Sequence, residues 1–158
     1  MSRIKSFVST EKASENADLI IEAVPENLHL KQKIFGAIED VAPASCIFAS
    51  NTSSLPIAEI AANLKRKDRF GGLHFFNPVA LMKLLEVVKG PETSQETFDA
   101  MMAYGTTIGK ATVKCVDTPG FIVNRLLVPY LFEAIRLYER GDASKEDIDT
   151  AMKCNPDS

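Results

Sequence analysis

Cysteine and histidine are scarce in this chain. Its 158 residues include three cysteines, Cys46, Cys115 and Cys154, and two histidines. The cysteine count is odd and no pair has CxxC spacing, which argues against a disulfide framework and against a zinc site, and favours a reducing compartment. No apolar stretch approaches the length needed to span a bilayer, so no membrane partner is expected. Surplus positive charge is missing as well. A net charge of -3 leaves no electrostatic footprint for nucleic acid, and none is expected as a partner. The one basic cluster, Lys65, Arg66, Lys67 and Arg69, follows an apolar helical run and reads as a solvated helix terminus. There is no internal repeat and no low-complexity segment. The opening Met-Ser-Arg-Ile-Lys-Ser-Phe-Val is too short and mixed to read as a targeting peptide. What remains is an ordinary globular composition, 46% hydrophobic and 25% charged.

Along the chain, strands and helices alternate. Residues 17–24 carry a compact apolar core ended by Pro25 and read as a buried strand. Residues 28–41 follow a helical period closed by Pro43. A second strand is expected over 46–49, a helix opened by Ser53, Ser54 and Pro56 and running to Leu64, and a third strand over 70–76. That order is the signature of a parallel α/β sheet. After a hairpin, Ser94 can cap a helix that ends near Gly109, and 111–116 is a last strand. The composition changes at the Asp117-Thr118-Pro119-Gly120 turn. Residues 121–139 read as one long helix, with Pro129 inside it and Gly141 after it. Ser144-Lys-Glu-Asp147 then looks like a capping box for a final helix. The boundary near Pro119 divides the chain into an α/β part, residues 1–118, and a helical part, residues 119–158.

The stretch from Arg69 to Gly90 organises the rest. Two apolar runs, 70–76 and 84–88, flank a connector containing Asn77-Pro78. If they pair antiparallel about Ala80, facing residue numbers sum to 160, and His74 lies opposite Glu86. A carboxylate that fixes the tautomer of a histidine and offsets its charge is what a general base needs. A histidine on an apolar strand is, however, more often a satisfied core residue. The company it keeps matters. Glu26 and Asn27, then Asn51 to Ser54, then His74 and Asn77, lie just past the ends of the expected parallel strands, the edge along which ligand crevices form in open α/β sheets. Singly, each is a helix cap or turn former.

Three motifs carry a resemblance: Ser50-Asn-Thr-Ser-Ser-Leu55, Gly72-Leu-His-Phe-Phe-Asn-Pro78 and Asp117-Thr-Pro-Gly-Phe-Ile-Val-Asn-Arg125. With these, and with the run from Leu131 to Met152, the sequence resembles the L-3-hydroxyacyl-CoA dehydrogenases, most closely the monofunctional mitochondrial type. The resemblance implies a partial Rossmann-like, mostly parallel sheet followed by the start of an all-α domain. It implies an NAD-dependent enzyme that reversibly oxidises (S)-3-hydroxyacyl-CoA to 3-oxoacyl-CoA in fatty-acid β-oxidation, in the mitochondrial matrix, with a homodimer as the complete family protein. By the same resemblance His74 matches the catalytic histidine and Glu86 the glutamate that orients it. Ser53 and Asn124 match the residues that hydrogen-bond the reacting oxygen. Glu26, Lys31, Asn51, Ser53 and Asn77 fall where the family contacts cofactor or substrate.

The family begins with a Gly-rich strand-turn-helix that holds the cofactor pyrophosphate, and none of the eight glycines here forms GxGxxG; the nearest approach is Gly71-Gly72. The segment Met152-Lys-Cys-Asn-Pro-Asp-Ser158 also departs from the family pattern. The chain therefore reads as truncated at both ends. Residues 19–24 would stand as an edge strand, an aggregation hazard, and the apolar stripe of 121–138 would lack partners. On this reading the isolated chain is marginally folded and binds NAD poorly. The alternative is a catalytically silent fragment that associates with full-length subunits. Another reductase on the same scaffold is disfavoured, because His74, Glu86, Ser53 and Asn124 would not then match together.

Overall fold

Order along the sheet repeats order along the chain. In the computed structural model, which describes residues 3–155, five strands lie side by side as β1 (Leu19–Glu22), β2 (Ile47–Ser50), β3 (Phe70–Phe75), β4 (Leu84–Lys89) and β5 (Ala111–Val116). The first three are parallel, β4 returns antiparallel to β3, and β5 runs parallel to β4. Met1 and Ser2, in the opening segment that does not read as a targeting peptide, and residues 156–158, in the expected departure at the carboxyl end, lie outside the described residues.

A short helix α1 (Thr10–Ser14) precedes β1, and α2 (Leu28–Glu39) crosses from β1 to β2. Asn27 caps α2, its Oδ1 accepting from the Leu30 amide at 3.0 Å, so this residue of the strand edge is a cap. The helix expected to reach Leu64 is shorter: α3 spans only Ile57–Ile60. The reason lies in tertiary contacts. Ala61 and Leu64 turn into the core, and the Glu39 carboxylate at the end of α2 accepts the Lys65 and Arg66 amides, drawing the chain away from a helical path. The basic cluster is accordingly no solvated terminus of α3. The Arg66 guanidinium donates to the carbonyls of Pro43 and Glu39 and lies 4.9 Å from the Phe48 ring centroid, so it caps α2 instead.

Helices pack closely on β3 because its middle is Gly71-Gly72. A Cβ on Gly72 would lie 2.8 Å from Val88 Cβ and 2.9 Å from Ile57 Cδ1, and one on Gly71 would run into the Met101 side chain. These glycines serve sheet packing between α3 and α4 (Gln95–Thr107), and hold no phosphate turn. One apolar layer gathers Phe35, Phe48 and Phe70, with Phe35 edge-on to Phe70 at 4.8 Å; the other gathers Leu73, Leu85, Val87 and Met101.

The chain divides into two compact units between Phe121 and Ile122. The second holds α5 (Val123–Glu139) and α6 (Lys145–Cys154). Pro129 lies inside α5 without ending it, Gly141 turns the chain at φ 75°, and Ser144 both accepts from the Asp147 amide and donates to its carboxylate. No side chain of α5 is buried. Among the described residues no helix is long and apolar enough to cross a membrane.

Candidate active site

Because β1, β2 and β3 are parallel, their carboxyl ends share one edge. Glu22 stands beside Ser50 there, and Ser50 beside Gly72. The following residues place the polar groups.

His74 and Glu86 face each other in the β3–β4 ladder, as the antiparallel register about Ala80 requires. His74 Nδ1 lies 2.6 Å from Glu86 Oε2, with the His74 side chain 5% exposed and the Glu86 side chain fully buried. With Glu86 ionised, this contact is a hydrogen bond only when Nδ1 carries the proton and donates. The tautomer assigned in this way leaves the Nε2 lone pair as acceptor. Two aromatic rings flank the imidazole, Phe76 with its centroid at 4.5 Å and Phe121 at 5.6 Å. The Cys115 thiol of β5 is pushed above its ordinary value by burial first, then by the negative charges of Glu86 and Asp117. The three cysteines are free. Among the described residues, no group of three or more His, Cys, Asp or Glu could hold a metal.

The loop after β2 is tied down by Glu26. Its Oε1 accepts from the Thr52 hydroxyl, from the Ser53 amide at 3.0 Å and from the Ser54 amide at 3.2 Å. Its Oε2 lies 3.3 Å from Lys31 Nζ. Burial works against the charge of Glu26, but the Thr52 and Lys31 contacts and the Ser53 amide outweigh it, and the carboxyl sits below its ordinary value. Asn51 bridges strands: its Oδ1 accepts from the Phe75 amide at 2.8 Å, next in chain to His74.

The five residues expected to meet a cofactor fall into two groups. Ser53 and Asn77 are exposed, the latter before a cis bond to Pro78; Asn51 has its Oδ1 engaged and its amide nitrogen left over, and Glu26, partly exposed, has both oxygens engaged. Lys31 points inward. Its ammonium is buried, 2.8 Å from Glu22 Oε1 and 3.3 Å from the Val24 carbonyl, so it holds Glu26 from behind and has no exposed surface of its own. Asn124 lies in the first turn of α5, in the second unit, and is partly buried.

Sequence reasoning passed over Glu22, which accepts from Lys31, from the Ser50 hydroxyl at 2.7 Å and from the Val24 amide at 2.6 Å. Two signals could have found it: an acid inside an apolar strand, and a lysine in the first turn of the next helix, where the dipole disfavours a cation. It also passed over Asp117, whose two carboxylate oxygens accept from the Ile57 and Ala58 amides, each at 2.8 Å.

Residues 1–118 match the description "3-hydroxyacyl-CoA dehydrogenase, NAD binding domain", and residues 120–156 match "3-hydroxyacyl-CoA dehydrogenase, C-terminal domain". A probable 3-hydroxyacyl-CoA dehydrogenase of Caenorhabditis elegans is 60% identical over 153 residues, 97% of this chain and 50% of that protein. The mitochondrial hydroxyacyl-coenzyme A dehydrogenase of Rattus norvegicus is 62% identical over 92% of this chain and 47% of its own length. Among solved structures, the (S)-3-hydroxybutyryl-CoA dehydrogenase of Ralstonia eutropha superposes with a TM-score of 0.94 at 41% identity, covering 99% of this chain and 55% of that one. The chain spans about half the length of these relatives.

Proposed function

The chain belongs to the 3-hydroxyacyl-CoA dehydrogenase family, and on that footing we propose that it acts in the NAD-dependent, reversible oxidation of (S)-3-hydroxyacyl-CoA to 3-oxoacyl-CoA in fatty-acid β-oxidation. The observation that carries this reading is the buried 2.6 Å contact between His74 and Glu86 at the strand edge. His74 Nε2 takes the hydroxyl proton of the substrate, and Glu86 offsets the charge that grows on the imidazole. Ser53 and Asn124 hydrogen-bond the reacting oxygen. A neutral hydroxyl and a neutral amide can follow that oxygen from alcohol to carbonyl without adding a charge.

NAD, when bound, accepts the hydride from C3. The groups present suit its nicotinamide end: the exposed Ser53 and Asn77, the unused amide of Asn51, and Glu26 held by Lys31. The glycines of the chain supply no GxGxxG turn for its diphosphate. A mitochondrial matrix location and a homodimeric complete protein follow the same reading.

One observation favours a second reading. On α5, Leu131, Phe132, Ile135 and Tyr138, which share one side of the helix, are all at least half exposed. That face suits a chain that acts by associating with a longer family subunit and is itself catalytically silent. Reduction of acetoacetyl-CoA by the chain alone, lost in His74→Asn, supports the first reading. No turnover alone, with co-elution on sizing with a full-length family enzyme, supports the second.

A further inference from the structure

Phe121 is the only non-glycine residue with positive φ among the described residues, at 49°. For a bulky side chain this is a sparsely populated backbone, and it persists only where its surroundings dictate it. They do so here. Gly120 precedes it at φ 77°, and the Phe121 amide closes the turn on the Thr118 carbonyl at 2.9 Å. The turn is fixed at its start, where the Asp117 amide donates to the Lys89 carbonyl of β4 and the Asp117 carboxylate grips both amides opening α3. What the strain delivers is a ring: Phe121 is 3% exposed, its centroid 5.6 Å from that of His74, while Phe76 stands 4.5 Å from the same imidazole. Asparagine or glycine would satisfy the backbone at position 121 without strain, but neither would supply that ring.

We propose that Phe121 is a positioning residue for His74: pressed against the imidazole by the clamped 117–121 turn, its ring holds the histidine in register with Glu86 and favours the imidazolium that forms when the proton is taken. This rests on the reading of His74 as general base. Both ring centroids lie within the range over which an aromatic face attracts a cation, so the contact strengthens as His74 becomes charged. Burial of Phe121 in the core alone would make no such distinction between the two states of the ring.

The test uses the 158-residue chain with 15N-labelled histidine. Only His29 and His74 contribute ring signals, and His29→Gln assigns them. In Phe121→Asn, which tolerates the left-handed backbone but lacks the ring, the His74 nitrogen shifts should move from a single Nδ1–H tautomer toward an averaged pair. Turnover should fall by up to about tenfold with little change in KM. Phe121→Tyr should restore both. Should the asparagine variant not fold, Phe121→Leu replaces it and the same two results decide. Unchanged His74 nitrogen shifts in a folded variant, however far its Tm has dropped, would overturn the proposal. The nitrogen readout needs no turnover, so it decides the role of Phe121 even if His74→Asn proves neutral and the proposed chemistry fails.

Discussion

Replacing Glu86 by glutamine removes one charge from the site and almost no volume. Two consequences can be sized from the structure. The Nδ1···Oε2 contact is short, at 2.6 Å, and neither group is open to water, so solvent cannot take over the role of the carboxylate. Hydrogen bonds to charged groups contribute about 1.5–3 kcal/mol. Much of that is realised only when the imidazole is charged, so turnover should fall about 10- to 150-fold while KM changes little. The second consequence depends on which end of the new amide meets the ring. Its oxygen would preserve the Nδ1–H tautomer. Its NH₂ would force the proton onto Nε2, removing the base, and the loss could then approach about 10⁴-fold, the scale seen when the carboxylate of a catalytic triad is amidated. The assay is acetoacetyl-CoA reduction at saturating NADH, with thermal unfolding as a control for folding. Histidine nitrogen shifts would tell the two orientations apart. Turnover equal to wild type in a folded Glu86→Gln protein would refute the role assigned to Glu86.

Three further outcomes are expected. Lys31→Met leaves Glu22 buried beside Ser50 without its cation and should cost about 3–5 kcal/mol in urea unfolding; adding Glu22→Gln should restore most of it, and simple additivity would contradict the coupling. Glu26 has its carboxyl below the ordinary value in the folded chain, so the unfolded chain binds more protons in that window. Its contribution is present above the ordinary value and is lost on acidification through the lowered one. Tm should therefore drop less steeply in Glu26→Gln than in wild type as pH falls from about 5 to about 3, and parallel curves would count against it. Titration of the 158-residue chain with NAD should give binding weaker than micromolar, because no glycine-rich turn is available for the diphosphate; micromolar affinity would overturn that reasoning.

The features that could be read from the sequence are those fixed by short-range rules. The His74–Glu86 pairing follows from two apolar runs, a proline in their connector and the period of two along a strand, all within 69–90. Caps at Asn27, Ser94 and Ser144 are equally local. What stayed hidden depends on residues far apart in the chain. Glu39 ends the path of α3 by taking the Lys65 and Arg66 amides 26 and 27 residues on, and Asp117 reaches Ile57 across 60. The Glu22–Lys31 pair escaped for another reason. It joins the end of a strand to the first turn of a helix, and no periodicity links those positions.

His74 and Glu86 both sit on interior strands. β3 is laced to β2 on its far side and β4 to β5 on its own, so the partnership of residues 74 and 86 is enforced from two directions besides the hairpin itself. The connector at 76–83 is thereby relieved of setting the alignment. Lengthening it would carry mainly a loop-closure penalty, about 0.6 kcal/mol for each doubling, and would leave the imidazole facing its acid. Here the molecule can accept insertions, exchange residues or graft a new rim while the imidazole and carboxylate beneath stay paired.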